Sequence, residues 1–325
     1  MNAVSDTNSN ISNTAINIDE AVARLRAGSL VAFPTETVYG LGADARNAEA
    51  VKKIFALKGR PAHHPVIVHL ADASMIADWA RDVPDVVSEL SAAFLPGALT
   101  LILRRQAHVL DAVTGAQDTV GLRIPRHPVA RALLREFGAG VAAPSANRFG
   151  RISPTSAAHV VEELGDDIFV LDGGQSEVGL ESTILDLTKD KARLLRPGGV
   201  SLAELTNVLG YTPETPPDTN RDVRVSGDLM QHYAPTTPAV LLSRQVILER
   251  LEPTVGVLAI SSKPSNFAGV WLRLPDDAQG YAKGLYSSLR ELDALDLSQI
   301  FIEAVPERED WLAVRDRLRR ATATG

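Results

Sequence analysis

The sequence predicts a two-domain α/β protein, and three observations carry that expectation. Short branched runs of strand length alternate with segments of helical period, the 325 residues suit two domains of ordinary size, and a proline-rich stretch interrupts the alternation late in the chain. Composition agrees: at 45% apolar and 22% charged residues, the chain can bury sizeable cores and stay in solution. No run reaches the roughly 18 apolar residues that a membrane span needs. The opening MNAVSDTNSNISNTA has neither the basic nor the apolar region of a secretory signal. With no cysteine, thiolate catalysis, disulfides and Cys-ligated zinc are excluded. A cytoplasmic protein with no membrane association is expected.

Residues 1–17 read as a loose, flexible terminus, followed by a first domain over 18–210. Asp19 is read as the cap of a helix running to Arg26 and stopping at Gly28. Strands are expected at 30–33, 65–70, 98–103, 119–124, 140–144, 168–172, 182–187 and 192–196. Between them, Asn47 caps a helix to Leu57, residues 84–94 and 127–137 show helical spacing, and Thr155 or Ser156 opens a helix that ends before Gly165. Ser201 and Glu204 form a capping box for a helix ending at Gly210.

Residues 211–238 carry five prolines and almost no apolar periodicity, which reads as a linker of 28 residues, longer than a hinge requires. Beyond it, strands at 240–243, 256–260, 270–274 and 299–304 alternate with helices at 278–291 and 308–320. The region 239–325 is thus expected to be an accessory α/β domain, Rossmann-like, on a small parallel sheet.

Thirty-three basic against forty acidic residues give a net charge of −7, which argues against a chain that coats nucleic acid. Local charge differs. Residues 97–154 hold eight arginines and three acids, so an anion could be held there, although exposed arginines on helix and strand surfaces give the same count.

The first strand leads into PTETVYGLGADA, where Gly40, Gly42 and Ala45 superficially match a dinucleotide fingerprint. The glycines do not follow the strand directly and do not open the next helix, so a nicotinamide-dependent enzyme is not supported. The segment reads instead as a polar loop offering the hydroxyls of Thr35, Thr37 and Tyr39 to a ligand. Lys58 and Arg60 flank Gly59 at a helix end, which fits a phosphate grip and equally fits ordinary helix termination. In TVGLRIP, alternation puts Arg123 on the face opposite Leu122 and Ile124 and beside Gly121, which suits a carboxylate or phosphate and also suits a solvent-facing residue. APSAN ends a strand with small polar residues, and no base is paired with Ser145, so a serine nucleophile is not expected. Hydroxyls, cations and glycines without a metal cage suit phosphoryl chemistry run by positioning and charge neutralisation.

PTETVYGLG (34–42), KGRP (58–61), PVIVH (65–69), PGALTLIL (96–103), TVGLRIP (119–125), APSAN (143–147), ESTILD (181–186), RPG (196–198) and HYAP (232–235) occur in this order. In that order they closely resemble the YrdC-like threonylcarbamoyl-AMP synthases in their long, two-domain form. The resemblance implies a twisted mixed sheet with helices around a large, positively lined cavity. It also implies a nucleotidyltransferase that makes L-threonylcarbamoyl-AMP from L-threonine, bicarbonate or CO2, and ATP carrying Mg2+, releasing pyrophosphate. The product would pass to the tRNA threonylcarbamoyl transferase machinery, for the adenosine next to the anticodon. By motif match, Thr37, His69, Arg123, Ala143 and Ser182 fall where the family holds threonine. Lys58, Arg60, His64, Thr119, Ser145, Ser153, Arg196, His232 and Tyr233 fall where it holds ATP, with Lys58 and Arg60 as the catalytic cations. Two departures stand out: His64 where many relatives have Asn, and Ser226-Gly227-Asp228 where relatives often show Pro-Gly. The competing expectation is a cavity protein that docks RNA without chemistry, against which weigh the net acidity and an aromatic content of only 5%.

Overall fold

The computed structural model describes residues 18–217, 223–225, 227 and 232–323. Two sheets organise them. The larger has ten strands: β1 (Val31–Phe33), β2 (Gly40–Asp44), β3 (Val68–His69), β4 (Ala80–Arg81), β5 (Leu99–Arg105), β6 (Thr119–Arg123), β7 (Val141–Ala142), β8 (Phe169–Val170), β9 (Thr183–Asp186) and β10 (Arg193–Arg196). Their order is β10-β9-β5-β6-β3-β7-β2-β1-β8, with β4 on β5, and parallel pairs (β3 with β6, β5 with β9) mix with antiparallel ones. Helices α1 (residues 18–26), α2 (Ala48–Lys58), α3 (Ile76–Trp79), α4 (Val86–Phe94), α5 (Asp111–Thr114), α6 (Pro128–Phe137), α7 (Ala157–Leu164) and α8 (Leu202–Leu209) accompany it.

Most helix ends lie where the sequence marks them. Asn47 accepts hydrogen bonds from the backbone of Glu49 and Ala50, Ser156 caps α7, and the Ser201/Glu204 capping box is formed in both directions. Asp19 lies inside α1 and does not cap it, because helical backbone already includes residue 18.

The main correction concerns 40–44, expected as a polar loop, which form strand β2 antiparallel to β1 with Phe33 opposite Gly40. A Cβ on Gly42 would stand 2.9 Å from the Phe33 ring and 2.8 Å from Val141, so the glycine serves close strand packing. The two-residue strand β4, packed on β5, was also not expected. Several expected strands shrink to their centres: of 65–70 only Val68 and His69 stay in the ladder.

The second sheet is wholly parallel, as expected, in the order β11 (Ala239–Leu242), β14 (Gln299–Glu303), β12 (Val255–Ala259), β13 (Val270–Arg273). Around it run α9 (Arg244–Glu249), α10 (Ala278–Asp293) and α11 (Leu312–Ala321), the last preceded by a 3-10 turn at Glu309–Trp311. Its core does not close on itself. Tyr281, Leu285, Tyr286 and Leu289 of α10 share one apolar cluster with Val38, Ile152 and Leu180 of the first domain and Tyr233 of the linker. Polar contacts border that seam: Arg290 with Glu163 at 3.2 Å, Arg151 with Asp293 at 3.1 Å, and Gln175 with Ser287 at 2.8 Å.

Residues 223–225 are docked on the larger sheet. Val223 and Val225 pack with Ile67, Ile102, Ile184 and Leu195, and Arg224 exchanges two hydrogen bonds with Gln117, at 2.7 and 3.0 Å. Of the expected departure at 226–228, Ser226 and Asp228 lie outside the described residues. Among the described residues, no helix is long and apolar enough to cross a membrane.

Candidate active site

Strand pairing places His69 beside Arg123 across the parallel β3–β6 pair and opposite Val141 across β3–β7. The Phe33 ring meets the imidazole edge-on, with centroids 5.8 Å apart. Burial, then the Arg123 charge, pulls the His69 pKa down to about 3, so the ring is neutral at physiological pH. Arg123 is itself paired: its Nη2 donates to Glu36 Oε1 at 2.6 Å and its Nε to the Gly97 carbonyl at 3.3 Å. Burial pushes Glu36 up, but Arg123 outweighs it, and the backbone N–H of Arg126 adds a bond at 2.9 Å. The carboxyl therefore stays below its usual range. Thr37 is held indirectly, its hydroxyl 2.8 Å from that of Thr35, which donates to the Val38 carbonyl.

A second group gathers cations. Arg60 reaches the Pro65 carbonyl at 2.8 Å and lies over the Phe149 ring. Arg196 donates to the Ser182 carbonyl at 2.8 Å and to its hydroxyl at 3.2 Å, and that hydroxyl also meets Thr100 at 2.7 Å. Burial brings Arg60 down to about 10 and lowers Arg196 as well. Lys58 is buried at the end of α2, whose left-handed cap is Gly59 (φ 64°). Its ammonium leaves the helix and donates to the carbonyls of Ser145 (2.6 Å) and Asn147. Burial first, then Arg60, holds it well below the ordinary lysine range.

His232 and Tyr233 close this group from the linker. Tyr233 has φ +62°, uncommon for a bulky residue, and its ring meets that of His232 at 4.1 Å. Among the described residues, neither Tyr233 Oη nor His232 Nδ1 has a hydrogen-bond partner although both are buried, an arrangement that a polar ligand would relieve. Burial pulls His232 down to about 3.

One cavity is lined by Arg60, His69, Arg123, Ala143, Ser145, Ser182, Arg196, His232 and Tyr233. Sequence reasoning had named all nine. Thr35 joins them, as the polar-loop reading expects, and Glu181 and Gly227 line the cavity without a sequence signal. Thr119 lines a neighbouring cleft, closed by Arg224 and Val225. Ser153 bonds Glu181 at 2.6 Å, and His64 stands edge-on to Phe149 at 5.4 Å, its pKa drawn down to about 4 by burial and Arg60. Lys58, Thr37, Ser153 and His64 are not among the cavity's lining residues. Local sequence gave no sign of Glu36 or Glu181, because each is defined by an arginine far along the chain.

The family described as "Telomere recombination", Sua5/YciO/YrdC, matches residues 23–198, and "Threonylcarbamoyl-AMP synthase, C-terminal domain" matches 200–323. The chain belongs to the Sua5/YciO/YrdC family. A threonylcarbamoyl-AMP synthase of Bacillus subtilis is 39% identical over 94% of this chain and 92% of its own. One from Pyrococcus abyssi is 38% identical, covering 92% of each. The crystal structure of P. abyssi Sua5 complexed with L-threonine superposes with a TM-score of 0.86 at 38% identity, over 94% of both chains. Similarity to these relatives therefore extends beyond residue 198 into the second sheet.

Proposed function

We propose that this chain synthesises L-threonylcarbamoyl-AMP from L-threonine, bicarbonate or CO2, and ATP, releasing pyrophosphate. The observation that carries the reading is the single cavity onto which both groups face: His69 with Arg123, and Arg60 and Arg196 with His232 and Tyr233. Threonine takes the first group, its carboxylate sharing the Arg123 guanidinium with Glu36 and its hydroxyl and amine meeting Ser182 and the neutral His69. Thr37 shapes that end through Thr35, and Ala143 leaves it room. Its amine, uncharged, adds to CO2 and loses a proton, giving a carbamate. A carbamate oxygen then attacks the α-phosphorus of ATP, the bond to the bridging oxygen breaks, and pyrophosphate leaves with the electron pair.

The second group receives the triphosphate. Arg60, Arg196 and Lys58 are cations kept out of water, which an anion entering beside them would stabilise, so neutralisation of the leaving group is built in before substrate arrives. Ser145, Ser153 and Thr119 border the same region, and His64 adjoins it through Phe149. Mg2+ on the phosphates would supply further neutralisation. The carboxylates nearest the cavity, Glu36 and Glu181, are committed to Arg123 and Arg317, and the ion would travel with the ATP phosphates. His232 and Tyr233 cover the nucleotide and keep water from the adenylate. Four segments follow from this reading: a terminus over 1–17, a catalytic domain over 18–210, a linker over 211–238 and an accessory domain over 239–325. The product is a cytoplasmic intermediate for tRNA modification, consumed by a separate transferase.

Purified protein incubated with ATP, L-threonine and bicarbonate tests this directly. Pyrophosphate release should require both threonine and bicarbonate, and release that ignores threonine would refute the assignment.

A further inference from the structure

We infer that Glu181, Tyr286 and Arg317 are positioning residues through which the C-terminal domain holds the linker's Tyr233 in the nucleotide end of the cavity. The inference rests on the function proposed above and adds a task for the second domain.

Glu181 belongs to the first domain, yet two of its three side-chain partners among the described residues do not. Its Oε1 accepts from Ser153 at 2.6 Å, while Oε2 accepts from Tyr286 Oη on α10 at 3.0 Å and from Arg317 Nε on α11 at 2.8 Å. All four residues are buried. Burial pushes the Glu181 carboxyl up, but Arg317 and Arg196 outweigh it and hold it at about 2, so it is ionised at physiological pH.

The same two C-terminal side chains grip Tyr233. Arg317 places its guanidinium 5.2 Å from the Tyr233 ring centroid, and the Tyr286 ring stacks on Tyr233 at 5.7 Å with planes 28° apart. Farther along α11, the Arg320 carbonyl accepts from the His232 backbone at 3.2 Å. Asp316 braces Arg317 from behind at 2.6 Å and bonds Arg320 at 3.0 Å. Two helices from the C-terminal side of the linker therefore fix both residues of its cavity-lining pair, and Glu181, itself lining the cavity, keys them to Ser153 of the first domain. Tyr233 needs such support, since its left-handed backbone has to be held by surroundings. Close approach is built in at Gly179, where a Cβ would lie 2.6 Å from the Ala282 carbonyl of α10.

Removing Arg317 alone would strand a buried carboxylate, so the informative variants are Tyr286→Phe, which keeps the ring and deletes the bond, and Glu181→Gln with Arg317→Met, which removes both charges. Full-length proteins are compared for ATP binding by calorimetry, for KM of ATP and of L-threonine, and for melting temperature. The double variant should weaken ATP about tenfold or more, from a lost charged contact and a lost cation–π face. Tyr286→Phe should shift ATP in the same direction by less, and KM for threonine should stay within about twofold in both. Unchanged ATP binding in the double variant, or equal losses for both substrates that follow the melting temperature, would overturn the inference. ATP calorimetry requires no turnover, so failure of the wild type to form adenylate would count against the proposed function while the coupling is still decided.

Discussion

Arg123 and Glu36, 87 residues apart, meet at 2.6 Å with side chains almost wholly out of water. A substrate carboxylate at Arg123 therefore enters a site already half neutralised, so fork geometry and not bare attraction selects it. Arg123→Gln should lose threonine binding and also leave Glu36 buried without its cation, at a cost of about 3 to 5 kcal/mol. Adding Glu36→Gln should restore much of the stability and none of the threonine affinity. Calorimetry and urea melts on the pair check this, and recovery of threonine binding in the double variant would count against the assignment.

Lys58 ties two carbonyls of the 145–147 segment together as well as adjoining Arg60. Lys58→Met should therefore lower stability by about 1 to 3 kcal/mol, from buried carbonyls left unpaired. Pyrophosphate release per folded molecule should also collapse, because a cation is missing beside the triphosphate. If activity per folded molecule persists, the ammonium is purely a structural tie.

Gly227 has φ +82°, and a Cβ there would stand 2.3 Å from Tyr233 Oη. Gly227→Ala should displace Tyr233 from the cavity. Expected consequences are a raised KM for ATP and faster escape of the adenylate, together with a lowered melting temperature from the strained left-handed backbone and the lost Tyr233 packing. Equal ATP affinity and adenylate lifetime in variant and wild type would remove the covering role from Tyr233.

Acid should destabilise the fold earlier than carboxylates alone require. His69 and His232 are held at about 3 in the folded protein against an ordinary value of 6.5. Between those values the unfolded chain binds more protons, so their contribution is complete above about pH 6.5 and is lost as pH falls toward 3. Glu181, held at about 2 from an ordinary 4.5, adds a further loss below about pH 4.5. Urea midpoints should decline between about pH 7 and pH 5, and His232→Gln should flatten that decline. A wild-type profile flat over this range would contradict the burial of neutral imidazoles.

Much of this was legible before any coordinates. Helix ends announced themselves through local chemistry, as at Asn47, Ser156 and the Ser201/Glu204 box. Local chemistry points to Thr35, Arg60, Arg123 and Ser145, and the resemblance to the family's motifs adds His69, Ala143, Ser182, Arg196, His232 and Tyr233. Strand β2 was missed because Gly-Leu-Gly-Ala-Asp lacks β-branched residues, and its pairing is fixed by tight packing on Phe33 and Val141. Glu36 and Glu181 were missed for another reason: a buried carboxylate is specified by its arginine, and Arg123 and Arg317 lie 87 and 136 residues away. Arg317 reads as an ordinary member of an amphipathic helix, because helical spacing reports burial but not the domain against which a face is buried.

The most direct test supplies the protein with ATP, L-threonine and carbon-13-labelled bicarbonate and follows the products by mass spectrometry. The account predicts an adenylate that carries both the threonine and the labelled carbon, formed in step with pyrophosphate and absent when any one of the three substrates is withheld. Pyrophosphate formed without such an adenylate, or an adenylate of threonine lacking the labelled carbon, would contradict it.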